Sequence, residues 1–205
     1  MGRRPLLIGF AVLALVPASA VAAGFPNSFA PMLHNPADRL ADRPIEGYRY
    51  DYAKRCTRRP RAGTVALQRW LAAHARGQSW GIMRCEKLSR RNYSLHSEGR
   101  ALDWHLDARN AADRRAGRRL IGLLLAPDRA GSAHALARRM GVQEIIWDCR
   151  AWWSGAERPM RYSACYSRRG KPRRRVDATT AHRDHIHLGL NRMGAARLTS
   201  FWRSR

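Results

Sequence analysis

The sequence predicts an α+β fold: one domain with a small, mostly antiparallel sheet flanked by helices, placed after an N-terminal signal peptide. Three observations lead there. Two short segments, 101–107 and 184–190, read as strands, the first with strict alternation of apolar and polar residues. Stretches with apolar residues at helical spacing lie before and between them. The order of elements is helix, strand, strand, helix, helix, strand, strand, helix, which lacks the regular alternation of a parallel βαβ sheet. A chain of 205 residues can bury one good core.

The N-terminus has a basic start (Arg3, Arg4), an apolar run over 6–16, and small-residue sites at 18–20 and 21–23. This is the pattern of a cleaved signal peptide over 1–23; an uncleaved membrane anchor is the competing reading. Residues 24–48 carry Pro26, Pro31, Pro36 and Pro44 and read as an irregular lead-in. The domain proper then covers 49–205. Tyr48, Tyr50 and Tyr52 mark an extended segment at the edge of the core. A helix is expected over 64–75, with Val65, Leu67, Trp70 and Leu71 on one side, Thr64 as its cap and Gly77 as its stop. A short strand is expected over 80–85, then a basic loop over 87–93.

In 101–107, Leu102, Trp104 and Leu106 share one face and Asp103, His105 and Asp107 the other. Helices follow over 109–125, with Leu120, Ile121, Leu124 and Leu125 as an apolar stripe, and over 131–140. Segment 143–153 is strand-like. Residues 154–180 form a long polar loop with a basic run at 171–175; loops of that length in compact domains are usually functional or disordered. The strand at 184–190 leads to a C-terminal helix over 191–202. Trp70, Trp80, Trp104 and Trp147 read as core residues, and one of the adjacent Trp152 and Trp153 must point outward.

Four cysteines in an exported chain predict two disulfides. Pairing Cys56 with Cys85 and Cys149 with Cys165 is favoured, because each pair brackets one local segment. A formal charge of +24, or +22 once Arg3 and Arg4 leave with the signal, favours polyanions such as wall polymers, acidic glycans or lipid heads. The bland explanation of the same number is a GC-rich genome, which favours an alanine- and arginine-rich composition.

The chemistry concentrates in two stretches. The first is Ser94-Leu95-His96-Ser97-Glu98-Gly99-Arg100-Ala101-Leu102-Asp103, or S-x-H-x-x-G-x-A-x-D. The second is His182-Arg183-Asp184-His185-Ile186-His187. Neutral imidazole nitrogens and a carboxylate oxygen are the donors that zinc takes, and His96, Asp103 and His187 supply three of them. Gly99 allows a sharp turn and Ala101 a close approach between the first two. Asp184 is a carboxylate placed to take a proton from water. His182 and His185 are expected in the same site. His34, His74 and His134 read as structural or surface residues.

These motifs resemble the zinc peptidases that include D,D-carboxypeptidases and dipeptidases of vancomycin resistance, L-alanyl-D-glutamate endolysins and the hedgehog domain. The H-x-x-H-x-H stretch also resembles penicillin-insensitive murein endopeptidases. The resemblance spans roughly 64–190. It implies His96, Asp103 and His187 as Zn2+ ligands, Asp184 as catalytic base, and His182 or His185 near the scissile bond. Asp184 departs from the glutamate found in many carboxypeptidases. An arginine near the transition state is also implied, and Arg84 is the candidate. The expected function is an exported zinc metallopeptidase acting on peptidoglycan, as a monomer, with anionic wall polymers as further partners and no specific nucleic acid. Two alternatives remain: a non-catalytic, zinc-stabilised binding module, and a secreted metal-dependent nuclease.

Overall fold

The structure, a computed structural model, describes residues 34–90 and 92–204. The expected signal peptide and the first part of the lead-in lie outside the described residues. The rest is an α+β domain built on one open, antiparallel sheet of six strands. In chain order these are β1 (Gln78–Gly81), β2 (Ala101–His105), β3 (Val142–Trp147), β4 (Arg150–Trp153), β5 (Met160–Arg161) and β6 (His185–Leu190). In space the order is β1-β2-β6-β3-β4-β5, so the two motif strands β2 and β6 lie side by side at the centre. The helices are α1 (Ala62–His74), α2 (Ala111–Leu125), α3 (Ala135–Met140), α4 (Arg192–Ala195) and α5 (Ser200–Arg203).

Alternation divides the central sheet into two faces. Leu102, Trp104, Ile186, Leu188, Ile145 and Trp147 join the main core with Leu67, Leu71, Leu120, Leu124 and Leu136 of the helices. Each of these large apolar side chains contributes about 1.5–3 kcal/mol by leaving water. The opposite face carries Asp103, His105, His185, His187 and Glu144. A sheet that spends one face on packing leaves the other for chemistry. All five residues of β2 to His105 are in register with β6: Asp103 stands opposite His187, and His105 opposite His185. On the far side of β6, Ile146 stands opposite His187.

Several expectations change in detail. The first helix starts two residues early, and Thr64 does not cap it. Thr64 sits inside the first turn and its hydroxyl donates to the Gly99 carbonyl at 2.7 Å, tying α1 to the motif turn. The strand expected over 80–85 lies at Gln78–Gly81, and Trp80 is half exposed rather than core. The segment 143–153 is a hairpin, β3 and β4, turning at Asp148 and Cys149 with φ of 45° and 59°. Two left-handed residues are the signature of the tight turn whose twist suits a hairpin. The helix expected over 131–140 is confined to Ala135–Met140. The C-terminal helix breaks into α4 and α5, because Arg197 turns left-handed at φ 60°. The lead-in residues 34–48 are irregular apart from a 3-10 turn at Asp38–Leu40, and they pack: Ala37 and Leu40 are buried.

Both disulfides form in the expected pairing, Cys56–Cys85 and Cys149–Cys165, with Cα separations of 5.5 and 5.6 Å. Such bonds fit an extracytoplasmic protein. No described helix is long and apolar enough to cross a membrane.

Candidate metal centre

The first motif is a small machine for holding His96 against Asp103. Residues Leu95–Glu98 form a 3-10 turn, started by Ser94, whose hydroxyl accepts from the His96 backbone N–H. Gly99 ends it in the left-handed region at φ 66°, where its N–H returns to the His96 carbonyl. A side chain at Gly99 would meet the Arg59 carbonyl oxygen at 2.0 Å. Ser97 is also spent on structure, its hydroxyl accepting from the Glu86 N–H at 2.9 Å. Glu98 and Arg100 form a buried ion pair at 2.9 Å, and Arg100 also donates to the Leu190 and Asp51 carbonyls. The chain then enters β2 and delivers Asp103 to the polar face.

Three ligand atoms meet there. His96 Nε2 lies 3.0 Å from Asp103 Oδ1 and 3.1 Å from His187 Nδ1, and His187 Nδ1 lies 3.1 Å from Asp103 Oδ1. All three residues are buried. Proton bookkeeping decides what this contact means. His96 Nδ1 faces the Ile82 carbonyl at 2.8 Å, an acceptor, so Nδ1 carries the hydrogen and Nε2 is bare. His187 Nε2 lies 4.0 Å from Glu144 Oε1, beyond hydrogen-bond range, while its Nδ1 is turned to Asp103. Burial alone would raise the Asp103 carboxyl, but His187 and His96 outweigh it and hold it well below the usual carboxylate range. Two imidazole nitrogens and a carboxylate oxygen, the donor types that a metal ion takes, therefore converge in a buried site.

The electrostatics agree. Burial pushes His96 down, so it stays neutral. Burial also opposes charge on His187, yet Asp103 and Glu144 raise it above its ordinary value; the carboxylates draw positive charge to this point. A tetrahedral cation with bonds of about 2.0–2.1 Å spaces its ligand atoms by about 3.3 Å, close to the separations here. The His96–Asp103–His187 group can hold a metal ion.

A fourth nitrogen stands beside them. His185 Nε2 is buried, has no hydrogen-bond partner, and lies 3.6 Å from Asp103 Oδ1. Its Nδ1 faces Asp184 Oδ1 at 2.7 Å. Asp184 Oδ2 accepts from the Thr179 hydroxyl at 2.7 Å, so both carboxylate oxygens are engaged outside the ligand cluster. Burial works against its charge, but Thr179 and His185 keep Asp184 below the usual range. Asp184 therefore fixes the imidazole of His185, leaving Nε2 as a free acceptor turned to the centre.

The family described as VldE, C-terminal domain, matches residues 56–176, more than half of the chain. The chain belongs to the VldE C-terminal-domain family. The matched span includes His96, Asp103 and all four cysteines, and ends before His182, Asp184, His185 and His187. No curated protein and no solved structure matches the chain.

In this VldE-family domain the centre opens into a cavity of about 340 Å³, lined in part by Tyr50, Arg84, Glu144, Trp153, Tyr162 and His182. His182 adopts φ 51° and packs 4.7 Å from the His185 ring and edge-on to Tyr162. Burial, with the neighbouring imidazoles, brings it down to about 3, so it is neutral. Arg84 donates to Asp103 Oδ2 at 2.5 Å and to Glu86 at 3.2 Å, so it clamps the ligand carboxylate from the cavity side. His105, though on the polar face, donates Nδ1 to the Asp184 carbonyl and stacks under Trp80 at 4.3 Å. Trp80 also reaches the His185 ring at 5.8 Å. It is a wall of the site, not core. His74 and His134 are engaged elsewhere, with the Trp70 carbonyl and with Tyr48.

Two residues escaped the sequence reading. Glu144 of β3 faces His187, and the Tyr50 hydroxyl donates to its other oxygen at 2.5 Å. A single glutamate inside the otherwise apolar run 144–147 was the available signal.

Proposed function

We propose that this protein is an exported zinc-dependent peptidase that hydrolyses peptidoglycan stem peptides or cross-links. The observation that carries the reading is the convergence of ligand-type atoms of His96, Asp103 and His187, with a fourth, unpartnered nitrogen of His185 beside them. Three ligands with an adjacent proton acceptor suit hydrolysis better than a closed structural site, which would use four ligands. Zinc bound there supplies Lewis acidity, which polarises a carbonyl and acidifies water.

The remaining work falls to the chain. His185 Nε2 takes the proton of the attacking water, and Asp184 stabilises the imidazolium through Nδ1–H. The same nitrogen then returns the proton to the leaving amine. This assigns the base to His185 and a positioning role to Asp184, in place of the direct role expected for Asp184. His182, neutral beside His185, offers an acceptor for a peptide N–H. Arg84 pairs with Asp103 Oδ2 and leaves part of its guanidinium facing the cavity, where a carbonyl or carboxylate of the substrate can meet it. Peptidoglycan is favoured by the resemblance of the motifs to wall peptidases and by the features of export, the N-terminal signal pattern and two disulfides. A binding module without catalysis would have no use for the Asp184–His185 pair.

The deciding experiment combines metal analysis with digestion of purified peptidoglycan, using the parent chain, His187→Ala and His185→Ala. One zinc per chain in the parent and in His185→Ala, none in His187→Ala, and new muropeptides from the parent alone are expected. A zinc-loaded parent that releases nothing from any wall preparation overturns the peptidase reading. A parent that binds no metal overturns the centre itself.

A further inference from the structure

We infer that the segment 158–175 is a docking arm for a phosphodiester-linked polymer of the cell envelope. The inference is independent of the peptidase reading, since it requires neither metal nor catalysis. Between Arg158 and Arg175 there are seven Arg, one Lys and no Asp or Glu. That is eight cations in eighteen residues, against 39 in 205 for the whole chain. Like charges at this density repel, and a free loop would spread them into solvent.

Here they are held in place. Cys165 is bonded to Cys149 in the β3–β4 turn, at the base of the arm. β5 pairs with β4 at one end, and Tyr166 bridges to Pro172 at the other. The tip closes through Ser167 N–H to the Lys171 carbonyl at 2.9 Å, and Arg173 N–H returns to the Cys165 carbonyl at 2.8 Å. Arg168, Arg169, Arg174 and Arg175 are exposed. Among the described residues no carboxylate lies within ion-pair range of these four. A tethered segment carrying an exposed, uncompensated cluster of guanidinium groups is matched by a ligand with repeating, permanent negative charges.

Guanidinium forks pair two N–H groups with two phosphate oxygens, and phosphate along a chain releases counterions when neutralised. Two disulfides fit an extracytoplasmic chain, which would meet envelope polymers, rather than nucleic acids, as the abundant phosphodiesters. The arm is also joined to the candidate centre. Tyr162 lines the 340 Å³ cavity and stands edge-on to His182, with ring centroids 5.3 Å apart. A polymer gripped by the arm would run past the mouth of that cavity.

The test measures binding of the full chain to poly(glycerol phosphate) oligomers across a salt series. R168A/R169A/R174A/R175A is compared with R55A/R69A/R115A/R118A, which removes the same charge from exposed positions elsewhere. The arm variant is expected to lose at least about tenfold in affinity at about 100 mM salt, and its log–log salt slope to fall by about 3. The control is expected to lose much less. Both variants are checked for parental melting temperature and intact disulfides, because the four arm positions are surface arginines. Equal losses in the two variants would show that net charge, not the arm, does the binding, and would overturn the inference. Equal binding of polyglutamate overturns the assignment to phosphate. Tighter binding of duplex DNA at matched charge overturns the assignment to an envelope polymer.

Discussion

His185 Nε2 faces Asp103 Oδ1 across 3.6 Å, buried and without a hydrogen-bond partner. An unmade hydrogen bond in a dry site costs about 1–3 kcal/mol, and a fold tolerates that where the group has other work. The register of β2 and β6 creates the contact: His185 stands opposite His105, two residues along β2 from Asp103, and so lies diagonal to Asp103 on the same polar face. If His185 handles the proton, His185→Ala lowers kcat by about 10²–10⁴-fold while metal content stays at the parental level. Asp184→Asn removes the negative charge that stabilises the imidazolium and sets the tautomer of His185, and is expected to lose activity by a similar factor with metal retained. Steady-state kinetics and metal analysis on the same samples check both. Retained activity in His185→Ala returns the base to Asp184.

Metal removal gives a second expectation, independent of any substrate. A ligand bound only by the folded chain stabilises it by about 4 kcal/mol when present at about 1,000 times its Kd. Chelation is therefore expected to lower the melting temperature of the parent by several degrees. In His187→Ala and Asp103→Ala the chelator has no effect. Calorimetry with and without chelator reads this directly, and a parent whose melting temperature ignores chelation argues against the centre.

How much of this was legible in the sequence depends on distance along the chain. His96 and Asp103 are seven positions apart, and the turn, the glycine and the strand between them are local features, so their partnership could be read from spacing. His187 comes from a strand 84 positions after Asp103. Its motif was visible, but its meeting with Asp103 is a matter of sheet register, which alternation alone does not specify. The same limit hid Glu144, which faces His187 from a third strand, and Tyr50, which bonds Glu144 from the segment before the sheet. The β3–β4 hairpin went unread because Asp148-Cys149 is not a usual turn pair; the disulfide at Cys149 helps hold it. Trp80 misled because a tryptophan in a short apolar segment reads as core, while its place on the edge strand β1 leaves it at the rim of the site.

Acid should unfold the domain through its buried ion pairs. Burial alone would raise the Glu98 carboxyl, but the Lys54 backbone N–H and the Arg100 guanidinium hold it below its ordinary value. A carboxylate whose folded pKa is depressed adds stability that is fully present above its unfolded pKa of about 4.3. That contribution is lost as pH falls through the folded value. Asp128, bonded by the Ser132 N–H and paired with buried Arg139, acts in the same direction. Melting temperature is expected to hold from about pH 7 to pH 5 and to fall below about pH 4. Glu98→Gln should start lower and decline less steeply over that interval, since it has one fewer carboxylate to protonate. A variant whose decline parallels the parent's would remove Glu98 from the account.

The disulfide at the base of the arm allows a separate reading. Cys149–Cys165 closes a loop with a sequence separation of 16, for which restriction of the unfolded chain predicts about 3 kcal/mol. Cys149→Ser/Cys165→Ser is expected to lower the denaturant midpoint by a corresponding amount. Ala181 and His182 receive the backbone N–H groups of Cys149 and Asp148, so loosening this turn should also disturb His182 in the site. Denaturant titration and an NMR spectrum of the histidine ring protons would report the two effects separately. A large stability loss with unmoved histidine signals would confine the disulfide to the arm.

Gly99→Ala tests whether the motif turn sets the metal geometry. Gly99 lies at φ 66°, where an L side chain costs about 1 kcal/mol, and its new Cβ would meet the Arg59 carbonyl oxygen at 2.0 Å. That neighbour is backbone and cannot rotate away. It belongs to the stretch that leads into α1, which is itself tied to the Gly99 carbonyl by Thr64 and the Arg61 N–H. Relief therefore requires the turn to move relative to α1, carrying His96 away from Asp103 along the shortest link between them. The expected result is a loss of at least about 2 kcal/mol of stability together with a loss of metal affinity. Gly122→Ala, at a helical position with open space around its Cβ, should gain up to about 1 kcal/mol of stability, leave metal affinity unchanged, and serve as the control. If Gly99→Ala loses stability but binds metal as the parent does, the turn supports the fold alone, and His96 is positioned by the Ile82 carbonyl instead.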